Sequence, residues 1–157
     1  MIDLKNYLIP LGRERPVHVL KLIMHTFAVR NRSLPGDEVR SNKRLFFRIL
    51  LERREQLLSN KDQVDSLLSL KGLPSSIHTC RILKKFGNNL IKKTSEMPVP
   101  EALNSLADFT IFWSLAITDD RLNEIESTAL LPGESRTPEN ISRGVIRTLE
   151  MYFNLFA

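Results

Sequence analysis

Residues 101–118 read EALNSLADFTIFWSLAIT, and the fold turns on what that stretch becomes. Placed on a helix, Leu103, Leu106, Phe109, Phe112, Trp113, Leu115 and Ile117 point in nearly every direction. A helix that is apolar all round is one enclosed by other elements. Residues 109–117 taken alone also fit a buried strand, because a short apolar run has no period that separates the two. The flanking sequence favours helix: six glycines in 157 residues leave little material for the many tight turns of a β protein. The expectation is an all-α fold, a compact single-domain helical bundle of about six to eight helices with a buried central helix near residues 101–118.

Working outward toward the N-terminus, residues 94–100 carry Pro98 and Pro100 and form the clearest connector, marking a subdomain seam. Before it, Ser75 or Ser76 is placed to cap a helix reaching about Lys93 that packs through Ile77, Ile82, Leu83, Phe86, Leu90 and Ile91. A shorter helix starts at Asn60 or Asp62 and stops at residues 71–74, KGLP, in the manner of a glycine cap followed by proline. Residues 38–58 form a long basic helix with Val39, Phe46, Ile49, Leu50, Arg53 and Leu57 along one side and Asp37 placed to cap it. Pro16 suits the first turn of a helix reaching about Arg30, with Val17, Leu20, Met24, Phe27 and Ala28 at helical spacing. Asp3 caps a first short helix that Pro10 and Gly12 end after Ile9.

Toward the C-terminus, Asp119 or Asp120 caps a short acidic helix to Leu131, and residues 132–135, PGES, form a loop. Thr137, Pro138 and Glu139 open the last helix with a cap, a first-turn proline and an acid that suits the helix dipole. Its apolar stripe of Ile141, Val145, Leu149, Tyr152, Phe153 and Phe156 implies a docked C-terminal helix.

Charge is distributed unevenly along this single domain of residues 1–157. Residues 1–94 hold 19 Lys and Arg against 8 Asp and Glu, a net +11, whereas residues 95–157 hold 4 against 10, a net −6. Such a split between a basic subregion, 1–94, and an acidic subregion, 95–157, argues for an anionic partner at the first or for pairing between the two, within a copy or between copies. One cysteine, Cys80, allows no internal disulfide and fits a reducing compartment, so a cytoplasmic or nuclear location is expected. The most apolar stretches, residues 17–29 and 109–117, are broken or far short of the roughly 20 residues a membrane span needs.

Catalytic and cofactor signals are weak. His18 and His25 are seven residues apart on one helix, about 10 Å by helical rise, too far to share a metal. His78 and Cys80 fall short of the three or four ligands zinc takes. No GxGxxG or GxxxxGK[ST] string is present, and Asp119, Asp120, Glu124, Glu126 and Glu134 match no EF-hand spacing. The reading is non-enzymatic, with no cofactor and no metal.

The basic residues are the constellation with a chemical consequence. Arg40, Lys43, Arg44 and Arg48 share one face of the third helix, and Arg81, Lys84, Lys85 and Lys92 share one face of the fifth. Two such stripes facing one side, with Arg30, Arg32 and Lys93 nearby, would attract phosphates through counterion release. The plain reading of any single stripe is a solvated helix face whose long stems cover apolar surface. Phe46, Phe47 and Phe86 stand at core spacing and are not stacking platforms, so base-specific contact is not expected. The leading expectation is a helical binding or assembly module whose basic N-terminal helices contact nucleic acid, or another anionic surface, without sequence specificity. The alternative is a protein–protein adaptor or a self-associating homo-oligomer using an apolar inter-helix groove or acidic-to-basic contacts.

Overall fold

The structure, a computed structural model, describes residues 4–75 and 78–156. In chain order its helices are α1 (Leu4–Leu11), α2 (Pro16–Arg30), α3 (Gly36–Leu58), α4 (Lys61–Ser69), α5 (Thr79–Ser95), α6 (Val99–Ala116), α7 (Asp119–Leu122), α8 (Glu126–Ala129) and α9 (Pro138–Phe156), with a 3-10 turn at Leu70–Gly72. The described residues contain no strand, so residues 109–117 are helical and the strand alternative falls. α7 and α8 are single turns, which leaves seven longer helices around one core.

α6 is the centre, in contact with α1, α2, α3, α4, α5 and α9. Leu103, Leu106, Phe109, Ile111, Trp113 and Leu115 are each at most 2% exposed, so most of the helix circumference is covered. Asn104, Ser105, Asp108 and Phe112 line one half-buried face, so Phe112 is not enclosed as the all-round apolar pattern implied. Burying each such large side chain contributes about 1.5–3 kcal/mol, which is why this helix organises the bundle. Two aromatic clusters extend from it. Tyr7, Phe86 and Phe109 join α1, α5 and α6, with the two phenylalanine centroids 4.6 Å apart. Phe27, Phe46, Phe47 and Phe153 join α2, α3 and α9, with Phe153 edge-on to Phe27 at 5.2 Å and to Phe47 at 5.4 Å.

Several ends differ from expectation, each for a local reason. α1 runs through Pro10 to Leu11, and the Gly12 N–H then bonds Leu8 O; the proposed Asp3 cap lies outside the described residues, as do Ser76 and Ile77. α3 begins at Gly36 after Pro35, so Asp37 is not its cap but sits in its first turn, paired with Arg40. The chain leaves α4 through the 3-10 turn, where Gly72 does not take the left-handed conformation of a glycine cap. α5 starts at Thr79 with His78 before it, so Ser75 is not its cap. The acidic helix expected to reach Leu131 breaks into α7 and α8, introduced by Thr118 rather than by an aspartate. The caps at Asn60, which accepts Gln63 N–H at 3.1 Å, and Thr137, which accepts Asn140 N–H at 3.2 Å, stand where the sequence reading put them.

Candidate functional site

The basic residues of α3 divide along its length. Toward its C-terminal end, Arg53 reaches Asn104 Oδ1 at 2.8 Å and Asp108 at 3.3 Å on α6, and Arg54 donates to Ser142 Oγ and Glu139 O on α9. Both are half-buried and fasten α3 to its neighbours. Asp108, partly buried there, is held above the ordinary aspartate range because the loss of water outweighs the Arg53 charge. Nearer the start of α3, Arg40, Arg44 and Arg48 face solvent and Lys43 is half-buried. Arg40, Lys43 and Arg44, with Phe47, form one wall of a concavity of about 410 Å³ whose other wall is Glu150 and Asn154 of α9. Lys43 Nζ donates to Asn154 Oδ1 at 3.1 Å and lies 5.9 Å from the Phe153 ring centroid, within cation–π range.

On α5, Arg81, Lys84, Lys85 and Lys92 are all exposed. The helix is driven against α2, α1 and α6 by the buried face of Ile82, Phe86, Leu90 and Thr94, and Gly87 brings it close to Leu22 of α2. α3 packs chiefly on α6, α9 and α4, so the two stripes stand on helices whose shared principal neighbour is α6. The structure thus brings Arg40, Lys43 and Arg44 together around one concavity, and Arg81, Lys84, Lys85 and Lys92 along another helix. Arg30 does not join either group, because its Nε donates to Met97 O at 3.0 Å in the turn between α5 and α6.

Glu150 faces the α3 cations across the concavity between α3 and α9, whereas four other acids of the C-terminal subregion are engaged elsewhere. Arg15 and Arg121 hold Glu124, Lys71 reaches Asp119 at 3.6 Å, Arg136 holds Glu126 at 2.8 Å, and Arg143 and Arg147 hold Glu134. Hydrogen bonds from Arg121 to Glu124 and from Leu131 N–H to Glu134 keep both carboxyls below the ordinary glutamate range. Among the described residues, Arg44, Arg48, Arg81, Lys84, Lys85 and Lys92 make no ion pair. Arg40 does, with Asp37 in the same turn.

A second concavity, about 560 Å³, opens where α2, α3 and α9 diverge. Met24, Phe27, Ala28, Val39 and Phe153 make its apolar walls. Lys21, His25, Lys43 and Asn31 complete its lining, and no acid takes part. Met24 and Ala28 belong to the apolar positions at helical spacing on α2; Ala28 is exposed and Met24 half-buried, so the apolar stripe is wider than the neighbouring helices cover. The available signal was the spacing of His18, Lys21 and His25, all exposed, which marks the edge of that stripe.

The residues considered for catalysis do not meet in either concavity. His18 Nδ1 lies 3.3 Å from Glu14 Oε1 at the start of α2, where the buried Glu14 carboxylate also accepts Arg15 N–H and faces the positive end of the helix dipole. His78 and Cys80 are exposed at the start of α5. Among the described residues no three His, Cys, Asp or Glu side chains gather to hold a metal, and no helix is long and apolar enough to cross a membrane. The chain matches no protein-family model, no curated protein and no solved structure.

Proposed function

We propose that this chain is a non-enzymatic helical binding module whose α3 and α5 cations contact an anionic polymer, nucleic acid without sequence specificity being the best chemical match, in the cytoplasm or nucleus. One observation carries the reading. Five acids of the acidic subregion, Asp108, Asp119, Glu124, Glu126 and Glu134, are held by Arg15, Arg53, Lys71 and the four arginines of that subregion. Although Glu150 lines the α3 concavity, Arg44, Arg48, Arg81, Lys84, Lys85 and Lys92 keep their charge exposed and make no ion pair among the described residues. Long cationic side chains on two differently packed helices suit a partner that presents phosphates at regular intervals over some length. Phe46 and Phe86 are fully buried in the core and Phe47 is half-buried against Phe46 and Phe153, which agrees with contact to the backbone rather than to bases.

The alternative, self-association through acidic-to-basic contacts, is less well supported for the same reason. Asp108, Asp119, Glu124, Glu126 and Glu134 already hold cations of their own copy.

The test is fluorescence anisotropy with a random-sequence oligonucleotide across a salt series, on the wild type and on R44E/R48E/K84E/K85E. Each phosphate contact contributes about 0.9 to the slope of log affinity against log salt for a duplex, so the variant should lose binding at low salt and most of that slope. Unchanged affinity ends the proposal, and salt-sensitive oligomers of the protein alone would favour self-association. The double variants R44E/R48E and K84E/K85E tell whether both helices contribute.

A further inference from the structure

We infer that the groove between α2, α3 and α9 binds a small anionic amphiphile, a carboxylate head on an unbranched alkyl chain. Its size falls among ligand pockets, which run to about 300–1,000 Å³ and are mostly apolar with a few convergent polar groups. The walls supply what an alkyl chain needs: Phe27 and Phe153, buried but for the atoms that line the groove, the branched Val39, the adaptable thioether of Met24, and the space beside the small, exposed Ala28. The charge around it has one sign. Lys21 and His25 stand one turn apart on α2, Lys43 stands opposite on α3, and no carboxylate lines the groove.

Lys43 makes the arrangement directional. Its ammonium borders both this groove and the neighbouring concavity that holds Arg40 and Arg44, and it lies over the Phe153 ring. A carboxylate meeting Lys43 leaves its chain running over Phe153 and Phe27, and Asn31 is already committed to Phe27 O and Asn42. A protein partner fits less well: nine residues line the groove, whereas a stable protein interface engages roughly 20–30 residues a side. Lys43 is shared with the α3 stripe but the α5 cations take no part in the groove, so a K84E/K85E variant that loses polymer binding and keeps the ligand separates the two readings.

The test uses 8-anilinonaphthalene-1-sulfonate fluorescence on the full chain, displaced by decanoate below its micelle concentration. Decanoate should displace the dye with one-to-one stoichiometry. A28W, which fills the groove from an exposed position, and the surface charge variant K21E/K43E should each weaken it by about tenfold or more; K84E/K85E should leave it unchanged. Decanol, of equal length and no charge, should compete at least about tenfold less well. Absence of displacement, wild-type affinity in both groove variants, or equal competition by decanol overturns the inference. So does tighter, groove-dependent competition by an acidic amphipathic peptide, which would make the occupant a protein.

Discussion

A single methyl group is enough to probe the packing at two glycines. A Cβ on Gly144 would lie 1.8 Å from Ala129 O, and one on Gly12 would lie 2.1 Å from Ala116 O. Both obstacles are backbone carbonyls, which cannot swing aside as a side chain does. At Ala129 the carbonyl also accepts a hydrogen bond from Arg147 at 2.7 Å, and at Gly12 the glycine carbonyl accepts Thr118 N–H at 2.9 Å. G144A is therefore expected to cost about 3 kcal/mol or more, at the upper end of overpacking effects, and G12A a similar amount. At Gly72 the outcome reverses: nothing lies within 4 Å and the backbone is not left-handed. G72A should gain about 0.4–1 kcal/mol through the unfolded state. Urea midpoints for the three variants check the set, and a G144A midpoint equal to wild type would deny the close approach of α8 to α9. These demands were only half legible. Gly12 was readable as a helix stop, but no local pattern announces that Gly144, inside a helix, must admit a carbonyl from residue 129.

At the scale of the element, side-chain chemistry marked some helix starts and not others. Asn60 and Thr137 were readable because a cap needs only the hydrogen-bonding side chain and the next turn, both local in sequence. T137A should cost about 1 kcal/mol by releasing Asn140 N–H at the start of α9. D37A offers the contrast, since Asp37 sits inside the first turn of α3 and contributes through the dipole and an exposed pair with Arg40. Its effect should be well under that of T137A and should fade with added salt; thermal melts at two salt concentrations compare them. The central helix was legible for a different reason. An all-round apolar pattern over Leu103 to Leu115 has few other homes, whereas the acidic stretch after it had no period strong enough to show that it breaks into two turns. The basic stripes were also legible as faces, because spacing alone sets them. That Arg53 and Arg54 are fasteners while Arg44 and Arg48 are not depends on where α6 and α9 lie, and the groove arises only where residues from three helices diverge.

Across the whole molecule, ion pairs join segments distant in sequence, Arg15 to Glu124, Arg53 to Asp108 and Lys71 to Asp119, or fix a local loop, and their response to acid follows from the carboxyl environments. Glu134 accepts Leu131 N–H at 2.6 Å and holds Arg143 and Arg147, fixing the loop before α9 and keeping its carboxyl below the ordinary value near 4.5. An acid with a depressed folded-state pKa adds stability above its ordinary pKa and loses it as the pH falls through the folded value. Glu124, held by Arg121 and Arg15, acts in the same sense. Asp108 acts in the opposite sense, since burial raises it, so what it costs the fold at neutral pH fades as the pH falls through its raised value. E134Q keeps an acceptor for Leu131 but removes the charge. It should therefore be less stable than wild type at pH 7, by a margin that shrinks as the pH falls below about 4.5 and vanishes once Glu134 is protonated in both states. The single tryptophan, Trp113, gives the readout, being fully buried with its Nε1–H donated to Leu11 O at 3.2 Å, so its emission shifts when the bundle opens as a unit. Urea titrations followed by that emission at several pH values separate the possibilities: a margin that does not change between pH 7 and pH 3 would mean that Glu134 acts through its shape and not through its charge.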